Sequence, residues 1–298
     1  MDAQLNVFQT VAELKHFSRA AEKLHMTQPA VSQQIRALED SLGVRLMERN
    51  NKGVSLTNAG ELVLHYAKEI NGQYRKMREM IDELLHFTGG PLAIGASYTF
   101  GEYALPATIA RLHLEFPGIR PSIAIGNTAD IADRLRAREL DLAIVEGSEY
   151  GTGVEAERLA NDRMYIAAGA GHPLAGGEPV GPERLSEEIW MVREEGSGTR
   201  AATDRMFASL GIRPARLMEL GSTQLIKETV EAGLGVTLQS RLALRKELGL
   251  GSLKLLLVEG IPVKRDFYVL LRKGELRTRT MEVFLQTLQE ETERLLID

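Results

Sequence analysis

The segment from Phe17 to Gly43, FSRAAEKLHMTQPAVSQQIRALEDSLG, constrains the fold more than any other stretch of the chain. It holds two short amphipathic helices separated by a tight polar break. Ser18 is placed to cap the first, which runs through Ala20, Ala21 and Leu24 before His25-Met26-Thr27-Gln28 interrupts the apolar rhythm. Pro29 suits a first helical turn, where its missing N–H would be unpaired anyway. Ala30, Val31, Ile35, Leu38 and Leu42 then recur at helical spacing, and Gly43 ends the run. Small Ala20 and Ala21 let the two helices cross closely. This pattern predicts a helix-turn-helix whose second helix, Pro29 to Leu42, enters a DNA major groove.

The polar residues of that second helix agree. With Ile35, Leu38 and Leu42 inward, Gln28, Ala30, Ser32, Gln33 and Arg36 point outward. Gln pairs with adenine N6 and N7, Arg with guanine O6 and N7, and Ala touches a thymine methyl. A solvated helix face would carry the same residue types; the break, Pro29 and the crossing alanines favour the groove. Val44 to Thr57 then alternates apolar and polar around Asn51-Lys52-Gly53, as a short hairpin does. We read it as a wing whose Arg49 and Lys52 reach phosphates, although a solvated hairpin tip would look alike.

With these residues in place, the chain resembles the LysR-type transcriptional regulators. The resemblance is carried by Phe8, Phe17-Ser18-Arg19-Ala20-Ala21, Leu24, Thr27-Gln28-Pro29-Ala30-Val31-Ser32, Ile35, Leu38-Glu39, Leu42-Gly43, Leu46, Arg49 and Leu56-Thr57-Asn58-Ala59-Gly60. Met47 stands where Phe is usual and Lys52 where Arg is common, which keeps the charge but loses bidentate geometry. The candidate DNA contacts are therefore Ser18, Arg19, Thr27, Gln28, Pro29, Ala30, Ser32, Gln33, Arg36, Arg49 and Lys52. What the resemblance implies is a multidomain chain. A mainly α winged helix-turn-helix head (1–58) leads into a linker helix (59–88) and a bilobed α/β effector domain (89–298) like the type 2 periplasmic binding proteins.

Composition sets limits on this picture. The 298 residues allow two or three domains, and 44% hydrophobic with 26% charged residues is ordinary for a globular protein. A net charge of -5 argues against non-specific nucleic-acid binding and asks for local basicity and dimerisation instead. There is no cysteine, hence no disulfide framework or thiol chemistry. The N-terminus Met1-Asp2-Ala3-Gln4 does not read as a signal peptide and no apolar run is long enough to span a bilayer, so a cytoplasmic protein with no membrane partner is expected.

From Thr57 to about Phe87 the sequence predicts one long helix, capped by Thr57, with Glu61 in its first turn. Ala59, Leu62, Val63, Tyr66, Ile70, Tyr74, Met77, Met80, Ile81, Leu84 and Leu85 recur at three and four. About thirty residues would span roughly 45 Å, and such a stripe asks for a partner helix; the other possibility is a helix folded against its own domain. The resemblance implies an antiparallel linker pair joining two subunits. Thr88-Gly89-Gly90-Pro91 would end the helix and act as a hinge.

The remainder alternates strands and helices. Strands are expected at Pro91–Ala96, Arg120–Ile125, Leu140–Val145, Met164–Ala168, Ile189–Val192, Arg216–Leu220, Gly235–Leu238 and Asp266–Leu271. Helices are expected near Tyr103–Phe116, Ala129–Arg138, Thr199–Leu210, Gln224–Ala232 and Thr278–Leu296. This order argues a mostly parallel sheet in two similar halves. We expect lobe I near 91–162 and 265–298, lobe II near 163–264, and crossings near Asp162 and Lys264. A ligand then binds at the carboxyl ends of the strands.

The strand-to-helix junctions supply the candidate effector site: Ser97, Tyr98, Thr99, Asn127, Thr128, Glu146, Gly196, Ser197, Gly198, Thr199, Arg200 and Thr223. Helix N-termini favour a small anion, and Arg200 is placed to pair with an oxyanion or carboxylate. Ser, Thr and Asn are also ordinary caps, but their recurrence at every junction favours a cleft. Glu146, Glu194 and Glu195 complicate an anionic pocket. Catalysis finds no support: the six histidines fall in no metal-ligand or triad pattern, and Gly233 and Gly235 start a dinucleotide fingerprint that Leu238 breaks. Neither catalytic nor metal residues are expected, and no cofactor beyond the effector. The expected protein is a sequence-specific regulator that binds a dyad operator as a dimer or tetramer, contacts RNA polymerase, and responds to a small acid. A solute receptor with no DNA role is the alternative.

Overall fold

The computed structural model describes residues 2–50, 53–84, 89–147 and 150–296. The chain forms two compact units, one built on Met1–Phe87 with Ala137–Glu139, the other on Thr88–Arg136 and Leu140–Asp298. In the first, α1 (Asp2–Leu14), α2 (Phe17–Lys23) and α3 (Gln28–Leu42) precede the strands β1 (Met47–Asn50) and β2 (Gly53–Leu56), and α4 (Asn58–Leu84) follows. The core gathers Phe8, Val11, Ala20, Ala21, Val31, Ile35, Leu38, Leu46 and Ala67, so the crossing alanines are buried as expected.

Capping follows the sequence in part. Thr27 Oγ1 accepts from the Ala30 N–H at 3.4 Å and Gly43, at φ 68°, closes α3 by donating its N–H to Glu39 O. The left-handed conformation at Gly43 is the reason a glycine stands there. Ser18 does not cap α2. Phe17 is already helical, so Ser18 lies inside the first turn, and His16 Nδ1 accepts from the Arg19 N–H instead. Leu42, expected inward, is 48% exposed because the last turn of α3 runs past the core. The Glu39 carboxylate accepts from the N–H groups of Leu46 (2.7 Å) and Met47 (3.2 Å), fixing β1 to α3.

The hairpin register pairs Met47 with Leu56 and Asn50 with Gly53. Thr57 Oγ1 accepts from the Gly60 N–H, so the expected cap of α4 is present. Val63, Leu64 and Ala67 of α4 pack on the core of the head, while Leu62, Tyr66, Ile70, Tyr74, Met77 and Ile81 form an exposed stripe, each 46–60% accessible. One face of the helix thus joins its own unit, and the other carries the apolar stripe. Leu85 and Thr88, with the side chains of Met80 and Leu84, lie outside the described residues.

The second unit contains β3 (Gly90–Ser97), α5 (Tyr98–Tyr103), α6 (Leu105–Glu115), β4 (Ile119–Gly126), α7 (Thr128–Arg136), β5 (Leu142–Glu146) and β6 (Val154–Gly169). Then come α8 (Pro182–Glu187), β7 (Ile189–Val192), α9 (Gly198–Leu210), β8 (Arg216–Glu219), α10 (Thr223–Glu231), β9 (Val236–Ser240), α11 (Arg241–Leu250), β10 (Leu253–Leu255), β11 (Val263–Arg272) and α12 (Arg279–Leu296). One sheet runs β4-β3-β5-β11-β6-β9-β7-β8, with β10 on β6. Its flanks, β4-β3-β5 and β9-β7-β8, are parallel, and the long strands β6 and β11 bridge them antiparallel. One core surrounds Leu92, Phe100, Leu105, Phe267 and Phe284; the other surrounds Met164, Trp190, Met206, Phe207 and Val236.

The elements differ from expectation at three points. The helix expected near Tyr103–Phe116 is α6, but a separate helix, α5, stands before it, the two parted at Ala104 ahead of Pro106, which cannot donate to a preceding turn. The strand placed at Met164–Ala168 begins ten residues earlier, because its polar first half, with Glu155 and Glu157 exposed, is held by ladder bonds to β11. The elements α1, α5, α8, α11 and β10 were not foreseen.

Candidate functional site

On α3 the buried face is Val31, Ile35 and Leu38, and the opposite face presents Gln28, Pro29, Gln33 and Arg36 to solvent, with Ala30 and Ser32 half-buried. Gln28 Nε2 donates to Ser32 Oγ at 3.2 Å in an exposed bond. Ser18 and Arg19 are exposed on the adjoining α2, and Thr27 is exposed at the α3 cap. The Arg49 side chain and Lys52 lie outside the described residues.

In the second unit, sequence-distant junctions converge. Ser97 caps α5 by position alone, and its buried hydroxyl has no partner among the described residues. Tyr98 lies under the Arg193 guanidinium, 4.3 Å from ring centre to Cζ. Thr99 Oγ1 donates to Glu146 Oε1 at 3.3 Å and accepts from Arg265 Nη2 at 3.1 Å. Asn127 Oδ1 caps α7 at Asp130 N–H, and its Nδ2 donates to Glu194. Thr128 Oγ1 donates to Glu146 O, and the Ala129 N–H donates to Gly196 O. Ser197 Oγ caps α9 by accepting from Thr199 N–H. Thr199 Oγ1 accepts from Arg265 Nη1 at 2.9 Å, and Thr223 Oγ1 accepts from Arg193 Nη1 at 3.2 Å.

These contacts bring the two flanks of the sheet together at the carboxyl ends of β3, β5 and β7. A cavity of about 370 Å³ lies beside them, lined by the N-terminal turns of α7 and α9 and by Glu146, Glu195, Arg200, Asp204 and Arg205. Gly198 is required by its closeness to Glu146: a Cβ there would lie 2.5 Å from both Glu146 Cγ and Glu146 O. Arg200 lines the cavity, and its guanidinium is also held by Asp204, Glu219 and the Arg193 carbonyl.

The sequence reading missed the two arginines that organise this cleft. Arg265 is 1% exposed and donates to Asp162, Glu146, Thr99 and Thr199. Arg193 is equally buried and holds Glu194 and Thr223. Strand alternation could have found the first, since Arg265 shares the buried face of β11 with Phe267 and Val269. Glu146 faces the cleft and is buried. Burial disfavours the Glu194 carboxylate, but the Arg193 guanidinium, its own backbone N–H and Asn127 outweigh that penalty, and the carboxyl ionises below its ordinary value. Among the described residues no group of three metal-ligating side chains converges, and no helix is long and apolar enough to cross a membrane.

A helix-turn-helix whose second helix turns a polar face outward, followed by a two-flanked sheet with a polar cleft, is the build of a DNA-binding protein with an effector-binding domain. Comparison with known proteins agrees. Residues 3–61 match the bacterial regulatory helix-turn-helix of the lysR family, and residues 87–293 match the LysR substrate binding domain. The chain is 34% identical to the HTH-type transcriptional regulator CysL of Bacillus subtilis, over 96% of this chain and 95% of that one. It is 35% identical to a RuBisCO operon transcriptional regulator of Allochromatium vinosum, over 98% and 96%. Among solved structures it is similar to a full-length OxyR variant from Pseudomonas aeruginosa (TM-score 0.76, 28% identity, 97% of this chain and 94% of that one). It is also similar to the CcmR regulatory domain of Synechocystis PCC6803 in complex with 2-PG (TM-score 0.63, 28% identity, 69% and 99%). The chain belongs to the LysR family and is a LysR-type transcriptional regulator; the helix-turn-helix removes the alternative of a solute receptor with no DNA role.

Proposed function

We propose that this regulator works in the cytoplasm as a homodimer paired through α4, with two dimers joined as a tetramer, and reads a dyad operator with α3. Gln28, Ala30, Ser32, Gln33 and Arg36 contact base edges, and Ser18, Arg19, Thr27, Pro29, Arg49 and Lys52 position the head on the backbone. The observation that carries this reading is the outward placement of Gln33 and Arg36 opposite buried Val31, Ile35 and Leu38. The effector is a small acid, an oxyanion or carboxylate, held near Thr99, Thr128, Ser197 and Thr199. Two helix N-termini on one cavity, with Arg205 beside them, support an anionic group, as does the 2-PG held by the similar CcmR domain. The effector shifts the balance between two arrangements of the effector domain, and the bound DNA bend changes with it. RNA polymerase is the downstream partner, and the chain catalyses no reaction. Footprinting of the purified chain on genomic fragments, with and without small acids, tests this. Selective protection, altered by one of the acids and lost in Arg36→Ala, is expected; equal binding to all fragments in moderate salt would overturn it.

A further inference from the structure

Glu146 is 2% exposed and lines the cavity. Its Oε1 accepts from Thr99 and Arg265, whereas Oε2 is buried with no hydrogen-bond partner among the described residues. A carboxyl oxygen that makes no hydrogen bond is an acceptor with a lone pair to spare. A buried acceptor left empty carries a large desolvation cost unless something donates to it.

The charges point the same way. Arg265 is one guanidinium between two carboxyl groups, Glu146 and Asp162. Around the cavity, Arg200 is taken up by Asp204 and Glu219, which leaves Arg205 and Glu195 as the other charged lining groups besides Glu146. The lining is therefore bipolar: helix N-termini and Arg205 favour an anionic group, and Glu146 asks for a donor.

We propose that the effector carries a hydrogen-bond donor, a hydroxyl or an ammonium, in addition to its acidic group, and that Glu146 Oε2 accepts that donor. The proposal rests on the reading of this cleft as the effector site. It narrows the ligand class to hydroxy acids and amino acids, and it makes Glu146 the specificity-determining side chain.

Calorimetric titration of the full-length chain tests it with three compounds that share phosphate and carboxylate at one spacing. These are 3-phosphoglycerate (hydroxyl), O-phosphoserine (ammonium) and 3-phosphonooxypropionate (neither). The expected result is that one donor-bearing compound binds about tenfold or more tightly than the donor-free one, the size set by a hydrogen bond to a charged group. Which of the two prevails distinguishes hydroxyl from ammonium. In Glu146→Gln, which replaces one acceptor oxygen by a donor, the ratio falls to about twofold or less. Equal affinities in the unaltered chain, a comparison that needs no variant, overturn the proposal and leave the small-acid reading intact. A preference that persists in Glu146→Gln assigns the donor to another partner and overturns it as well. Failure of all three to bind removes the small-acid reading and this inference together.

Discussion

Arg265 Nε lies 2.7 Å from Asp162 Oδ2, both side chains are 1% exposed, and the two residues are direct partners in the β11–β6 ladder. Ser240 Oγ donates to the other Asp162 oxygen, so the carboxylate is fully used. The ion pair sits where the two long strands carry the chain between the parallel flanks, and Arg265 reaches hydroxyls on α5 and α9 from that point.

Replacing Arg265 by Met should destabilise the second unit by about 3–5 kcal/mol, because Asp162 and Glu146 would be left buried without their counter-charge. Urea denaturation followed by circular dichroism measures it. A loss under about 1 kcal/mol would mean that the pair is solvated and the cleft is open in solution.

Gly198→Ala should act by steric exclusion. The added methyl would meet the Glu146 carbonyl oxygen at 2.5 Å, and backbone there cannot give way cheaply. We expect a loss of about 1–3 kcal/mol together with a blunted response to effector. Thermal melts with and without ligand read both; an unchanged melting temperature and response would refute the tight contact.

The stripe on α4 offers a third test. Ile70→Asp places a charge among Tyr66, Tyr74 and Met77, which are exposed in one subunit. If α4 pairs with a second copy, sedimentation velocity at micromolar concentration should show monomer where the unaltered chain gives a larger species. An identical sedimentation profile for both would assign dimerisation elsewhere.

Acid sensitivity should trace in part to Glu194. Its carboxyl ionises below its ordinary value in the folded chain, while in the unfolded chain it titrates near the usual value of about 4.3. The unfolded state therefore takes up the proton first as pH falls. The stabilisation is complete above the ordinary value and is lost as pH drops through the lower folded one. Stability measured from pH 6 down to pH 3 should fall less steeply in Glu194→Gln; equal slopes would show that the Arg193 contact is not kept in solution.

Local order was legible because it is written in short-range spacing. Thr27 and Gly43 bound α3 as capping chemistry requires, and Val31, Ile35 and Leu38 face inward as a 3.6-residue period requires. The candidates Thr99, Thr128, Ser197, Thr199 and Thr223 were found because loops after strands carry polar residues at helix starts, and the structure buries all five. The errors mark where spacing loses force. Ser18 and His16 are both able to cap, and only the position of Phe17 in the helix chooses between them. Arg200 follows a glycine-rich turn, and spacing alone could not show that Glu219, on a neighbouring strand, pairs with it.

The sequence by itself determined the helix-turn-helix, the long apolar stripe and the two strand-helix sets, since each depends on contacts within one or two turns of chain. Only the tertiary structure decided that Arg265, Asp162, Glu146, Thr99 and Thr199 share one buried cluster. Those residues are up to 166 positions apart, and a charge becomes tolerable in an interior only through partners that the completed fold delivers to it.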